Sequence, residues 1–161
     1  MHIDRGVLIV APERLKAGPG LVLARGVVMT CAGGVHVGAG CLFGYYSFVC
    51  AANHSIPARI PEPIYGGGHD LAPVVIGNNC WVGAHSCVLP GVILEDGVVG
   101  AGTTVARDMA AGSVVVGASP RVVRVRLPYS SPVNPAGADA PARERHSSLR
   151  ALSIQDSPHR V

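Results

Sequence analysis

Large apolar residues recur every six positions along much of this 161-residue chain. From Val37 the sequence reads V-G-A-G-C-L, F-G-Y-Y-S-F and V-C-A-A-N-H, which spaces Val37, Phe43 and Val49 by six. From Ile76 it reads I-G-N-N-C-W and V-G-A-H-S-C, Val88 opens another unit, and Val99 and Val105 resume the step. Gly usually follows the apolar residue (Gly38, Gly44, Gly77, Gly83, Gly100). Four places after the apolar residue stands a small one (Cys41, Ser47, Cys80, Ser86, Thr103). A period of six fits neither the 3.6 of a helix nor a plain strand alternation. It is a multiple of two, so each unit can be a short strand and a turn. One large and one small side chain then point inward, and Gly is expected to turn the corner. Three units close a triangular coil, and each coil buries its core only against its neighbours, so several must stack. A β-sandwich would space its strands by about 8–12 residues, with no fixed step of six. The expected fold is all-β, a parallel β-helix in the form of a triangular prism.

Composition agrees. The chain is 48% hydrophobic, only 14% charged and 4% aromatic, with 21 Gly. That excludes disorder, which goes with high charge and low hydrophobicity, and a coiled coil. The formal charge is +3, and Lys16 is the only Lys among 13 basic residues. The late Arg residues (Arg107, Arg121, Arg124, Arg126 and onward) suit a local anion site. They are too scattered, with too few aromatics, for a nucleic-acid platform. Five Cys without a C-x-x-C indicate neither a disulfide frame nor a zinc knuckle, and fit a reduced, cytoplasmic setting. Asp4, Arg5 and Pro12-Glu13-Arg14 do not read as a signal peptide. Residues 26–58 lack Asp, Glu, Lys and Arg but are broken by Gly, His and Asn, so no membrane span is expected.

Several regions break the step. Residues 1–24 read as an irregular cap or a first coil. Residues 54–73 carry Pro57, Pro61, Pro63, Pro73 and Gly66-Gly67-Gly68, and read as an inserted active-site loop. Val88 to Val99 is eleven, one short of two units, which predicts a tightened corner. Residues 1–126 are expected to form the β-helix domain. Residues 127–161, rich in Pro, Ser and Arg, are expected to form a disordered or partly helical tail.

Three stretches carry a resemblance: I-G-N-N-C-W-V-G-A-H-S-C-V-L-P-G-V from Ile76, V-G-A-G-T-T-V-A-R-D-M from Val99, and V-G-A-S-P-R-V-V-R from Val116. Over residues 27–126 the chain resembles the hexapeptide-repeat acyltransferases, in the branch of sugar, maltose, galactoside and polysaccharide O-acetyltransferases. The resemblance implies a left-handed coil, an exception to the usual right-handed crossover. It also implies acetyl-CoA as co-substrate, no metal, and a homotrimer with active sites between subunits.

Each site residue then has an implied role. His54 ends V-C-A-A-N-H where the loop departs. Imidazole suits proton removal near neutral pH, and the matching family position is the general base. A turn-capping His is the bland alternative. Trp81, at the outward sixth place of its hexad, matches a position beside the acyl end of the cofactor. Ala84 and Ala101 match main-chain contacts to the pantetheine arm, and Arg107, Arg121 and Arg124 match positions that bind its phosphates. Asn53 either bonds locally or holds a left-handed corner. His69, Asp70 and His85 are acceptor-lining candidates. Asp70, Glu62 or a backbone carbonyl is available to orient the His54 ring. The sequence departs from relatives at Ala106, often Thr, and around Ala24-Arg25, often Asn.

Four functions come into question for these residues. The first is O-acetylation of a sugar or polysaccharide precursor, by direct attack in a ternary complex. The second is N-acetylation of an amino sugar. The third is a catalytically silent scaffold. The fourth, a γ-type carbonic anhydrase, needs three His on zinc, and His54, His69 and His85 lack that family's spacing.

Overall fold

The computed structural model describes residues 1–56 and 66–126, all within one unit spanning Met1–Pro128. Residues 57–65 of the expected loop, with Glu62, and the expected tail 127–161 lie outside the described residues.

The described chain winds as a left-handed parallel β-helix with three faces. The first coil holds β1 (His2–Ile3), β2 (Leu8–Val10) and β3 (Leu15–Ala17), and the second holds β4 (Val22–Leu23), β5 (Val28–Thr30) and β6 (Val35–Val37). The third holds β7 (Leu42–Phe43) and β8 (Phe48–Cys50). It then leaves the prism through β9 (Ala52–His54), returns through β10 (His69–Leu71), and closes with β11 (Val74–Ile76). The fourth holds β12 (Trp81–Val82), β13 (Cys87–Val88) and β14 (Ile93–Leu94), and the fifth holds β15 (Val98–Val99) and β16 (Thr104–Val105). β17 (Ser113–Val116) extends the first face, and β18 (Arg121–Val125) returns antiparallel beside it. The first face runs β1-β4-β7-β12-β15-β17-β18, the second β2-β5-β8-β13-β16, and the third β3-β6-β11-β14. Among the described residues no helix is long and apolar enough to cross a membrane.

The core follows the hexads. Phe43, Val49, Val82, Val88, Val99 and Val105 are fully buried. The small partners Cys41, Ser47, Cys80, Ser86 and Thr103 are buried with them. Residues 1–20 form a regular first coil, with Ile3 in register with Leu23 of the second, and Ile9 with Met29. The step of six continues through Val88 to the buried Leu94. The missing residue therefore falls between Leu94 and Val99, where Asp96 adopts a left-handed φ of 48°.

The hexad glycines serve a different purpose from the one expected. The left-handed corner residues are Gly40, Tyr46, Asn79, His85 and Gly102, two places beyond them. Gly38, Gly44 and Gly83 instead press against the next coil. A Cβ on Gly38 would lie 2.7 Å from Gly77 C, one on Gly44 2.7 Å from Ala84 N, and one on Gly83 2.6 Å from Ala101 N. Their N–H groups donate across the same gap: Gly38 to Ile76 O, Gly44 to Val82 O and Gly83 to Val99 O, each at 2.7 Å. Glycine is selected here for backbone approach rather than for conformational freedom.

Two substitutions separate these roles. Gly38→Ala forces neighbouring backbone apart and is expected to cost about 1–3 kcal/mol. Gly102→Ala meets nothing within 4 Å but holds φ +67°, so about 1 kcal/mol is expected. Thermal or urea denaturation of the two variants measures the difference. Equal losses would mean that coil spacing is not the constraint.

Candidate active site

The excursion from the third coil begins as a two-stranded antiparallel stem. His54 pairs with His69, Asn53 with Asp70 and Ala52 with Leu71. Ser55 N–H donates to Gly68 O, and Ala72 N–H to Ala51 O, both at 3.2 Å. Those bonds flank the histidine pair at alternate positions, so His54 and His69 form a non-hydrogen-bonded pair, the kind with the closest side chains. Their ring centroids lie 4.6 Å apart at 35°, and both residues are exposed.

Alternation along the strands puts Asn53 and Asp70 on the opposite face of the stem. There Ser55 Oγ donates to Asp70 Oδ1 at 2.6 Å. The Asp70 carboxylate is thus committed away from the His54 ring, contrary to the expectation that it was available to orient it. Asn53 does not hold a left-handed corner. It is an extended residue of β9 whose Oδ1 accepts the N–H of His54 at 3.0 Å, so the local-bonding alternative is the one observed.

The remaining expected residues divide between other places. Trp81 points outward from the first face and is 50% exposed. Ala84 and His85 stand at the corner between the first and second faces, with Ala101 one coil further on, because Gly102 N–H donates to Ala84 O at 2.8 Å. His85 is left-handed, with φ 55°, and lies at a different corner from the His54–His69 pair. Arg124 and Arg121 pair with Val114 and Val116 at the end of the first face. Arg107 does not join them. It follows β16 and starts the crossing to the third face, where Asp108 Oδ1 accepts the N–H of Ile93 at 2.8 Å and Met109 N–H donates to Ile93 O. Among the described residues none of these three arginines has a carboxylate partner; the one ion pair is His2–Asp4 at 3.8 Å.

The candidate residues therefore fall into two groups. One, at the corner between second and third faces, holds His54, His69 and, two coils on, Arg107. The other, on the first face and its corner with the second, holds Trp81, Ala84, Ala101, Arg121 and Arg124. Strands of the second face separate them.

Comparison with known proteins agrees with this fold. A family model described as the hexapeptide repeat of succinyl-transferase matches residues 73–107. The Escherichia coli K12 protein WcaF, which carries the name of a colanic acid biosynthesis acetyltransferase, is 29% identical over 129 residues, 78% of this chain and 66% of WcaF. The maltose O-acetyltransferase of Clostridium difficile 630 superposes with a TM-score of 0.71 at 22% identity, covering 77% of this chain and 65% of that one. A hexapeptide-repeat acetyltransferase of Vibrio cholerae, solved with acetyl coenzyme A, gives 0.67 at 22%, covering 74% and 64%. Over these stretches the chain is similar to hexapeptide-repeat acetyltransferases. It spans less than two thirds of the length of the curated relatives it matches: curated Staphylococcus aureus acetyltransferases, 44% identical over 59 residues, are covered over 30% of theirs.

Two of the cysteines, Cys87 and Cys80, are poor nucleophiles, whereas the hydrogen bond from Cys80 lowers the Cys41 thiol to about 7. Burial, then the neighbouring Cys50, pushes the Cys87 thiol up. The hydrogen bond to Cys41, together with burial, pushes Cys80 up. Low thiolate content at neutral pH follows for Cys80 and Cys87.

Two features escape a reading of single residues. Tyr45-Tyr46 stand directly beneath Ala84-His85, visible only when F-G-Y-Y-S-F is laid under V-G-A-H-S-C. Arg126 Nη1 donates to Asn79 O at 2.8 Å and Asp96 O at 2.7 Å, tying the chain after β18 to left-handed corner residues of successive coils. Two charge-assisted bonds at an exposed position are worth about 1–2 kcal/mol. Arg126→Ala is expected to lose that stability and to speed amide exchange in Arg121–Val125 ahead of the core. Unchanged exchange in that strand would show that Arg126 does not hold it.

Proposed function

We propose that this chain is an acetyl-CoA-dependent O-acetyltransferase acting on a hydroxyl of a sugar or polysaccharide precursor. The observation that carries the reading is the pair of residue groups on each protomer. Rotation about an axis parallel to the prism keeps every coil at its height, so a neighbouring copy brings His54, where the third coil departs, to within one coil of Trp81 and Ala84. A homotrimer has the symmetry to do this at three equivalent clefts.

In that cleft the cofactor's phosphates meet Arg121 and Arg124 of one copy and Arg107 of the partner subunit. Its pantetheine arm runs over Ala101 and Ala84, bonding to main-chain groups, and its acyl end lies by Trp81. The V. cholerae complex with acetyl coenzyme A supports this class of ligand on this fold. The names of WcaF and of the C. difficile enzyme support a sugar acceptor. His69, beside His54, and His85 line the acceptor side, while Asn53 and Asp70 face away from His54 across the stem. His54 Nε2 or Nδ1 takes the hydroxyl proton as the acceptor oxygen attacks the thioester carbonyl. The tetrahedral intermediate is held by backbone N–H groups. It collapses with loss of the CoA thiolate, which takes the proton back from the imidazolium. The reaction runs in the cytoplasm, a placement supported by five cysteines that are all free thiols.

Thiol release from acetyl-CoA against a panel of sugars and amino sugars tests this. His54→Ala is expected to lower kcat by about 10²–10⁴-fold while acetyl-CoA still binds. Full activity in that variant would remove His54 as base, and an amino sugar as best acceptor would replace O- by N-transfer. Direct attack also predicts that Cys87→Ala turns over at the wild-type rate and traps no acyl-enzyme in mass spectrometry.

A further inference from the structure

The exposed aromatics of the described chain are Tyr45 at 57%, Tyr46 at 52% and Trp81 at 50%. In a chain with 4% aromatic residues, all three sit in adjacent coils on or beside one corner. Inter-coil bonds define the columns there. Gly102 N–H donates to Ala84 O at 2.8 Å, His85 N–H to Tyr45 O at 2.9 Å, and Tyr46 N–H to Arg25 O at 3.1 Å. The order down the corner is therefore Ala101, Ala84, Tyr45, Arg25. The neighbouring column is Gly102, His85, Tyr46, Gly26.

Tyr46 and His85 stack, with centroids 5.4 Å apart and planes at 17°. Both hold left-handed φ values, 56° and 55°, in a column otherwise filled by Gly6, Gly26 and Gly102. Bulky residues are strained in that conformation, and such strain concentrates at functional positions. The Tyr46 ring also covers Gly26, where a Cβ would lie 2.3 Å from it. The result is a preset, solvent-facing aromatic ledge. Arg25 is exposed below it and has no carboxylate partner among the described residues. Its charged neighbours are Arg5, one coil down, and Asp4, which faces His2 at 3.8 Å. Local charge at the foot of the ledge is thus net positive.

We infer that this ledge is the acceptor subsite and that it takes a pyranose ring carrying a negative charge, as a carboxylate or a phosphate. The inference rests on the acetyltransferase reading. With phosphates at the Arg121–Arg124 end and the arm over Ala101 and Ala84, the thioester points down the corner to Tyr45. A sugar with one face on Tyr45 and Tyr46 presents its hydroxyls to that carbonyl. A carboxylate or phosphate on the far side of the ring meets the Arg25 guanidinium, which pairs with either anion through parallel N–H bonds.

The test uses methyl galactoside, galacturonate and galactose 1-phosphate as probes, on wild type, Tyr45→Ala and Arg25→Gln. Initial rates with acetyl-CoA are measured beside calorimetric binding of each sugar to the free protein. The charged sugars are expected to be preferred, and the better of the two distinguishes uronate from phosphate. Arg25→Gln is expected to erode that preference about tenfold, the worth of one charge-assisted contact. Tyr45→Ala is expected to raise KM for every sugar without moving that of acetyl-CoA. Equal use of neutral and charged sugars, or an Arg25→Gln preference matching wild type, would overturn the inference. So would tyrosine variants that weaken acetyl-CoA instead. If wild type releases no thiol with any acceptor, the acetyltransferase reading fails and the binding arm decides alone. Charged-sugar binding lost in Arg25→Gln then supports the ledge, and no binding refutes it.

Discussion

Successive coils approach closely because glycine N–H groups at the corners donate to the next coil's carbonyls across a gap too narrow for a Cβ. The bonds from Gly18, Gly38, Gly44, Gly77, Gly83 and Gly100 measure 2.7–2.8 Å, whereas Ala24 at the equivalent place gives 3.0 Å. This spacing puts residues of successive coils in strict register. Register makes columns, and columns decide which side chains meet. The His85–Tyr46 stack, the Arg126 tie across Asn79 and Asp96, and the line from Ala101 to Arg25 are all consequences of one repeated backbone contact.

How much of this was legible in the sequence depends on range. The step of six is local, so the prism, its large and small inward residues, and the departure of the chain near His54 are readable from neighbouring hexads. The first two coils hid their regularity because they advance by 20 residues, from Ile3 to Leu23 to Phe43. The surplus sits at the corner between second and third faces, in the turn Pro12–Arg14 and at Cys31–Gly34. The glycine role was misassigned because a single hexad shows a residue that permits turning, and not the coil that presses on it. Counting Leu94 as a hexad residue confines the irregularity of Val88–Val99 to the short step from Leu94 to Val99. A leucine among valines carries the pattern just as well once its burial is seen.

The site was legible only in part, for the same reason. His54 stands out through its place at the end of a hexad and through family resemblance, not through any neighbouring residue. Its pairing with His69 depends on the register of a stem that closes across fifteen positions, and hexads do not encode that. The face carrying Asp70 follows from the same register, which is why a carboxylate suited by composition to orient the imidazole turns out to serve Ser55.

A solenoid of this kind has little interior to spare, since the prism is filled by its own columns. Chemistry must therefore sit on corners and outer faces, where a single copy cannot shield it from water. The outward residues of the second face are largely apolar, with Leu8, Val28, Phe48 and Cys87 in register. The third face places Lys16, His36, Val75 and Ile93 outward. The second face is also the one that lies between the two residue groups. In the trimer proposed above, burying that face and completing the active site are the same event. The heterologous contact closes because each copy offers two different edges. Removal of water from the thioester would then come from assembly rather than from a lid.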